Sequence, residues 1–333
     1  MDYIEKYQSK LKDLNETLWE NRVPWHLICK WLDVFETENE KKSALFLLSH
    51  FMYYNVPIMR HLLIALFRDN YRYPIIAEYR TTHEYDMQDL YVEQYFQSIL
   101  CHSYFLPIGN PSESGAHMLY FFRQTNHLSR RNFVTTDQVL SSLEMDENSA
   151  FKDAKYFIFI DDFCGTGTQV EHDNSVKRFV KNIKDRNDSV NIFYFPIFAT
   201  EDGLKKLKDS QVFTKVECAV MLDETYKCFG NYSRFFNEQT DVSKQDAKAL
   251  SEKYSRSIIA DEYDHDSAIQ KRFTKEKWIE NNLLGYGDCQ LLIGFYHNTP
   301  NNTIPIFWGE CNGRVPVFKR YQKIYGDEYR KSI

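Results

Sequence analysis

The stretch YFIFIDDFCGTGTQV, residues 156–170, decides the fold. Its first five residues form an unbroken run of apolar, aromatic and β-branched side chains. Such a run is typical of a strand that a parallel sheet buries on both faces. Two adjacent acids, Asp161 and Asp162, end the run, and the small residues 165–168 follow at once. The stretch therefore predicts a buried strand, a polar loop and then a helix.

Segments on both sides of this stretch repeat the same alternation. Strand-like runs occur at 73–79 (YPIIAEY), 103–109 (SYFLPIG), 190–200 and 215–223, and a strand, a turn and a short strand are expected within 289–308. Helical patterns lie around 86–100, at 116–124 (AHMLYFFRQ), behind the glycine loop through Val176, Phe179, Val180 and Ile183, and at 201–210. The alternation predicts an α/β fold with a mostly parallel sheet.

The apolar patterning also predicts the division of the chain. Residues 1–70 are expected to form a helical N-terminal module, and residues 71–333 an α/β domain. A polar, charged stretch at about 224–282 is expected to be a helical insertion. The N-terminal module fits a plain helical bundle or a helix-turn-helix unit. The bundle is favoured because Lys and Arg do not cluster on one helix face.

Composition sets limits on the class of protein. The 333 residues are 43% hydrophobic and 16% aromatic, which is enough for a packed core and excludes global disorder. The net charge of −6 gives no global basic field for nucleic acid. The seven cysteines are scattered without C-x-x-C spacing, as expected of reduced thiols. With no signal-like start and no apolar run of roughly 18 residues, we expect a soluble cytoplasmic protein.

Several kinds of site place acids or glycines after a buried strand. A dinucleotide site needs a third glycine where Val170 stands, and a P-loop needs a lysine after Gly167. An aspartyl-phosphate site needs two acids separated by one residue. A structural turn remains open as an alternative. A sugar 5-phosphate fits better, since carboxylates bind its vicinal hydroxyls and help to hold Mg²⁺, while the glycine loop binds its phosphate.

The segment FIFIDDFCGTGTQ resembles the ribose-phosphate-binding motif of type I phosphoribosyltransferases. The resemblance implies that Asp161 and Asp162 are the catalytic acid pair and hold Mg²⁺ indirectly. It also implies a 5-phosphate loop formed by Gly165, Thr166, Gly167, Thr168 and Gln169. Two positions depart from the family pattern, because the family usually has Thr or Ser at Gln169 and often Thr or Ala at Gly165.

A second segment, LPIGNPSESGAHM at 106–118, is similar to the diphosphate-binding loop of that family. The resemblance assigns this role to Gly109, Ser112, Ser114 and Gly115, whose backbone amides would cradle a diphosphate. Glu113 stands inside the loop, where a basic residue is usual. Charge is then expected from the next segment, through Arg123, Arg130 and Arg131.

Most of the chain resembles a divergent branch of phosphoribosyltransferase-like proteins from bacterial conflict and anti-phage loci, some of them beside retron reverse transcriptases. The two loops and the ending GYGDCQLLIGFYHNTPNNTIPIFW, residues 285–308, carry this resemblance. It implies a phosphoribosyltransferase-like enzyme or effector that binds a phosphoribosyl ligand with Mg²⁺ in anti-phage defence. The alternative is a catalytically inactive regulator that senses a nucleotide or binds nucleic acid or a partner such as a reverse transcriptase. Oligomeric state is left open.

Two further groups of residues leave alternatives open. His297, Asn298 and Asn301 either contact a base or a ribose, or hold a tight turn through bonds from side chain to backbone. Cys164 and His172 either form a nucleophile pair, or Cys164 is a thiol packed beneath the glycine loop.

Overall fold

A computed structural model describes residues 3–83, 88–109, 114–146, 149–236 and 241–321. Contacts divide the chain into two compact units, residues 56–223 and residues 1–55 together with 224–333. Among the residues described, no helix has both the length and the apolar character needed to cross a membrane.

The strands, numbered along the chain, belong to two parallel sheets. They are β1 (Met52–Tyr54), β2 (Ser103–Pro107), β3 (Tyr156–Cys164), β4 (Asn191–Thr200), β5 (Lys215–Val216), β6 (Val220–Leu222) and β7 (Ile293–Phe295). The larger sheet has the order β2-β3-β4-β5, with β6 also paired to β4, and every pairing is parallel. The predicted α/β fold with a mostly parallel sheet is confirmed.

Helices separate the strands and flank them. They are α1 (Tyr3–Thr17), α2 (Trp25–Leu32), α3 (Glu38–Leu48), α4 (Val56–Phe67), α5 (Tyr73–Thr82), α6 (Asp89–Leu100), α7 (Ser114–Thr125), α8 (Thr136–Met145), α9 (Thr168–His172), α10 (Asn174–Arg186), α11 (Glu201–Asp209), α12 (Lys244–His265), α13 (Ser267–Gln270) and α14 (Lys275–Asn282). A π-helical turn, Arg68–Arg72, joins α4 to α5. Short 3₁₀ turns occur at Arg130–Asn132, Glu224–Tyr226, Tyr286–Asp288, Pro305–Phe307 and Cys311–Gly313.

The larger sheet is covered on both faces, which explains the apolar run in β3. On one face Phe157 and Phe159 pack against Phe179 of α10, with ring centroids 5.1 and 5.6 Å apart. On the other face Phe105 of β2 packs against Phe122 of α7 at 5.1 Å. Side chains alternate between faces along a strand, so both sets of positions in β3 must be apolar.

The other unit is built on a short parallel pair and aromatic packing. Strand β1 pairs with β7, Met52 lying beside Ile293. Phe51 stacks on Phe318 with centroids 4.1 Å apart, and the indole N–H of Trp31 donates to the carbonyl of Ile306 at 2.8 Å.

Three local predictions from sequence are wrong. Residues 73–79 form part of α5 rather than a strand, because Pro74 is tolerated in a first helical turn and Ile75 and Tyr79, four residues apart, are buried on one face. The N-terminal 70 residues are not all helical, since they contain β1. The short strand expected before residue 308 is the 3₁₀ turn Pro305–Phe307.

The edge strand predicted at 215–223 is divided into two. Strands β5 and β6 both lie beside β4, Lys215 opposite Phe193 and Val220 opposite Phe198. Between them the amides of Glu217 and Ala219 still donate to β4 carbonyls, at 3.2 and 3.1 Å.

The units differ in extent from the predicted division at residue 70. Residues 56–70 belong to the unit of the larger sheet, and the predicted insertion, about 224–282, lies in the unit that contains residues 1–55. Pairing of β1 with β7 ties the N-terminal segment to the C-terminal one.

Candidate functional site

The predicted site residues of the larger sheet gather at one edge. Strands β2, β3 and β4 are parallel, so their carboxyl ends meet at the same edge. The loops that follow β2 and β3 carry the predicted residues, and α11 follows β4. In open α/β sheets this edge is where ligands bind.

Asp161 points into the core and is held by the protein. Its Oδ2 accepts a hydrogen bond from the Tyr194 hydroxyl at 2.9 Å, and its Oδ1 accepts one from the Asp162 amide at 3.0 Å. Burial and the neighbouring charge of Asp162 raise the pKa of Asp161 well above its usual range. Burial also raises the pKa of Tyr194, followed by the Asp161 charge. Both carboxyl oxygens of Asp161 are therefore engaged inside the protein.

Asp162, the next residue, contacts the start of α7. Its Oδ1 accepts a hydrogen bond from the Ser114 hydroxyl at 3.0 Å. Ser114 is the first residue of α7, so the end of the predicted diphosphate loop and the acid pair are in direct contact. Both acids are nearly buried, with 8% and 9% of their surface exposed.

Glycines allow α7 to begin this close to β2. A Cβ on Gly115 would lie 2.7 Å from the carbonyl oxygen of Ile108, a distance that no side chain tolerates. Gly109 has a φ of 80°, in the left-handed region that favours glycine. Ser112, the remaining predicted residue of this loop, lies outside the described residues.

The glycine loop packs directly on the start of α11. The Thr200 hydroxyl donates to the carbonyl of Gly165 at 2.6 Å and accepts from the amide of Gly203 at 3.0 Å. A Cβ on Gly203 would lie 2.0 Å from the Gly165 carbonyl oxygen. Gly167 has a φ of 69° and turns the chain into α9. Contacts from α11 thus fix the backbone of the loop.

The hydroxyl groups of the loop are joined to a lysine. Thr166 donates to Thr168 at 3.0 Å, and the ammonium of Lys206 donates to the Thr168 hydroxyl at 3.0 Å. The same ammonium lies 2.7 Å from the carboxylate of Glu171. Gln169 is exposed. The helix predicted behind the loop is confirmed as α10, and the five-residue α9 precedes it.

Sequence reasoning missed the contributions of β4 and α11 to this edge. Tyr194 gave no signal, because its contact with Asp161 depends on the register between β3 and β4. A weak sequence signal did exist for Thr200, Gly203 and Lys206. Their spacing of three residues places them on one side of a helix that begins at the end of the next parallel strand.

The predicted arginines lie away from the acids. Arg131 donates to the sulfur of Cys101, which precedes β2 and so lies at the amino edge of the sheet. Arg123 is in the last turn of α7, about 14 Å along the helix from Ser114 at a rise of about 1.5 Å per residue. Cys164 is buried, and burial with the Asp161 charge raises the pKa of its thiol to about 12. These facts fit a packed thiol better than a nucleophile.

The residues predicted to contact a base or ribose belong to the other unit. The side-chain oxygen of Asn298 accepts from the amides of Thr299 and Tyr321, at 2.9 and 2.8 Å. The ring of His297 stacks on Phe295 with centroids 5.7 Å apart, and the Asn301 carbonyl accepts from the Tyr286 amide at 2.7 Å. The side chain of Asn298 thus bonds to backbone amides, and the contact of these residues with a base or ribose stays a prediction.

The acid pair offers a limited donor set for a metal. Within the described part of the chain, no group of three or more His, Cys, Asp and Glu residues is arranged to hold an ion. Proteins often hold Mg²⁺ through one or two carboxylates while substrate phosphates supply other ligands. The pair fits a Mg²⁺ of that kind. Asp162 would hold that ion, since it contacts the start of α7, where the predicted diphosphate loop ends.

A parallel α/β sheet whose central strand ends in an acid pair, followed by a glycine–threonine loop, defines a protein of the phosphoribosyltransferase-like class. Comparison with known families agrees, since a family model described as PRTase-CE matches residues 28–320. The chain belongs to this phosphoribosyltransferase-like family. Searches of curated proteins and of solved structures returned no match.

The contact between α11 and the glycine loop predicts an unusual result for Gly203→Ala. Alanine has the higher helix propensity, by about 1 kcal/mol, and propensity alone would stabilise the protein. We expect destabilisation by about 1–3 kcal/mol instead, because the new Cβ collides with the Gly165 carbonyl. Urea unfolding measures the change. The exposed Lys205→Ala on the same helix is the control, with an expected change within about 0.5 kcal/mol. A more stable Gly203→Ala protein would contradict the contact.

Asp161→Asn should alter the pH dependence of stability, measured without Mg²⁺. The folded wild type holds the Asp161 proton to a higher pH than the unfolded chain, whose pKa is about 3.9. Its stabilising contribution is thus complete below that value and is lost as pH rises through the folded pKa. The variant lacks this loss, so its free energy of unfolding relative to wild type should rise from about pH 4 upward and then level off. A difference independent of pH would refute the burial argument.

Proposed function

We propose that this protein binds a phosphoribosyl compound, of the ribose 5-phosphate or phosphoribosyl pyrophosphate type, and transfers its phosphoribosyl group. The observation that supports this proposal most is the hydrogen bond from Ser114 to Asp162, which joins the predicted diphosphate loop to the acid pair. The glycine loop follows the same strand within a few residues. Membership of a phosphoribosyltransferase-like family supports the same ligand class.

The two ends of such a ligand explain why acids and a phosphate loop are neighbours. The vicinal ribose hydroxyls donate to the carboxylate of Asp162, while the buried Asp161 holds the end of β3 in place through Tyr194. The 5-phosphate accepts hydrogen bonds from loop amides and from the hydroxyls of Thr166 and Thr168. The negative carboxylate thus binds the neutral hydroxyls and the loop binds the anion.

Transfer in this arrangement is a substitution at C1 of the ribose. An acceptor forms a bond to C1 as the bond from C1 to the diphosphate oxygen breaks, and that oxygen keeps the electron pair. Positive charge develops on the ring, where the carboxylate of Asp162 stabilises it. The amides at the start of α7, at Ser114 and Gly115, donate hydrogen bonds to the leaving diphosphate. Bound Mg²⁺, held by Asp162, would neutralise part of the charge on that diphosphate.

Ligand binding tests the proposal directly. Thermal unfolding with Mg²⁺ should show stabilisation by ribose 5-phosphate and by phosphoribosyl pyrophosphate, about 2.7 kcal/mol at a ligand concentration 100 times the dissociation constant. Asp162→Ala should abolish this stabilisation, because the ribose hydroxyls lose their acceptor. Asp185→Ala, an exposed acid of α10, removes the same charge elsewhere and should keep it. Wild type that is folded yet unaffected by either compound would refute the proposed site.

A second candidate function is a catalytically silent regulator that binds the same ligand without turnover. The favouring observation is the sequence NPSES, 110–114, which has Glu113 and no basic residue to hold a diphosphate. Diphosphate release from phosphoribosyl pyrophosphate, measured with a panel of nucleobases, separates the two candidates. Release that is lost in Asp162→Ala supports transfer. Binding with no release for any base supports the regulator.

The last part of the proposal is a role in bacterial anti-phage defence. The protein would act in the cytoplasm, with a reverse transcriptase, another protein or nucleic acid as its partner. It rests on the family resemblance of the two loops and the ending. Phage plating on bacteria that carry the chain with its neighbouring genes is the test. We expect fewer plaques with wild type than with Asp162→Ala, and equal plaque numbers would count against the role.

A further inference from the structure

The glycine loop contains no basic residue of its own. Residues 163–170, FCGTGTQV, carry no Lys or Arg, so an anion bound there would rely on amides and hydroxyls alone. Phosphate-binding loops commonly add a cation, because a charge-assisted hydrogen bond is roughly twice as strong as a neutral one. In this protein a cation reaches the loop from α11, the helix after the next strand.

The cation is the ammonium of Lys206, which α11 places beside the loop. Gly203 lies against the loop backbone, and Lys206, one helical turn further on, lies on the same side. Its ammonium donates to the Thr168 hydroxyl at 3.0 Å, with 40% of the side chain exposed. Lys205, the preceding residue, is exposed and lines the same surface cleft as Lys206 and Glu171. The hydrogen bond to Thr168 distinguishes Lys206 from its neighbour.

We propose that Lys206 is a phosphate-binding residue of this site and that Glu171 competes with the phosphate for it. This inference rests on the proposed function, since it concerns the 5-phosphate end of the same ligand. Lysine acts as a compact point charge with three rotatable donors, so its ammonium can contact Thr168 and a phosphate oxygen together. Lys206 would then favour phosphorylated ligands over those without a phosphate.

Glu171 has the properties of such a competitor. Its carboxylate lies 2.7 Å from the Lys206 ammonium with 29% of its side chain exposed. The hydrogen bond from Lys206 holds the pKa of Glu171 below its usual range, so the group stays anionic at neutral pH. Ion pairs with such access to water are weak, and a phosphate dianion is a stronger partner for the ammonium. Glu171 thus positions Lys206 beside the glycine loop but lowers the affinity of the site for a phosphate.

An ion pair between Lys206 and Glu171 with only a structural role would give different results on mutation. If the pair only fastened α9 to α11, removing either partner would have the same effect on stability and neither change would have a specific effect on phosphate. If Lys206 binds phosphate, removing Lys206 and removing Glu171 change affinity in opposite directions. The opposite signs separate the two roles even when both variants lose the same stability.

Calorimetric titration with ribose 5-phosphate, and separately with inorganic phosphate, tests the inference on the full chain with Mg²⁺. Lys206→Gln should weaken binding of ribose 5-phosphate about tenfold, which corresponds to about 1.4 kcal/mol. Glu171→Gln should strengthen it about two- to fivefold, on the order of the energy of an exposed ion pair. Lys206→Arg keeps the charge and should recover part of the loss. Lys181→Gln, which changes an exposed lysine of α10, is the matched control and should bind within about twofold of wild type.

The possible outcomes test the role of Lys206 separately from the proposed ribose-phosphate site. Opposite effects of Lys206→Gln and Glu171→Gln on affinity, with affinity unchanged in Lys181→Gln, support the phosphate role. Wild-type binding that Lys206→Gln leaves unchanged overturns this inference while the proposed ribose-phosphate site stands. Equal weakening by Lys206→Gln and Glu171→Gln shows a structural pair and also overturns it. Failure of wild type to bind ribose 5-phosphate overturns the site and the inference together.

Discussion

The burial of two adjacent carboxyl groups at the end of β3 is the constraint on which the site depends. A buried acid is costly unless the protein supplies hydrogen-bond donors. Here the donors come from both sides of the strand, through Tyr194 of β4 and Ser114 of α7, and from the backbone amide between the acids. Satisfying the acids therefore fixes the neighbours of β3. The start of α7 cannot move away from Asp162 without leaving a nearly buried carboxyl group short of a donor.

The two acids bond to different neighbours. Asp161 bonds to Tyr194 in the apolar layer of the core, whereas Asp162 bonds to Ser114 at the start of α7. An isolated buried charge would be intolerable in that layer, and the raised pKa of Asp161 reflects this environment. In our proposal the ligand contacts Asp162, and Asp161 supports Asp162 by accepting a hydrogen bond from its amide. This arrangement holds Asp162 rigidly, as pre-organised binding of a developing charge requires.

Sequence patterns predicted the parts of this site that follow from a single segment. The apolar run of β3, its acids, the glycine loop and Ser114 can all be named as candidates from sequence, because composition and local spacing mark them. The contacts of Tyr194, Thr200 and Lys206 were not found, since they depend on which strands are neighbours and in what register. The strand predicted at 73–79 is wrong for a related reason. Its short apolar run fits either period, and burial of Ile75 and Tyr79 on one helical face decides the outcome.

Charge balance around the edge of the sheet connects these features to the proposed ligand. Asp161, Asp162 and Glu171 bring three carboxyl groups to this edge, and the ammonium of Lys206 pairs with Glu171. A phosphoribosyl diphosphate would bring further negative charge to this edge, and carboxylates repel it at low local dielectric. Two adjustments reduce that repulsion. The raised pKa of Asp161 favours its neutral form, and in the proposed function a cation bound with the diphosphate would neutralise charge beside Asp162. Ligand and metal should then bind with positive coupling, each increasing the affinity for the other, because each removes an electrostatic cost that the other would face alone.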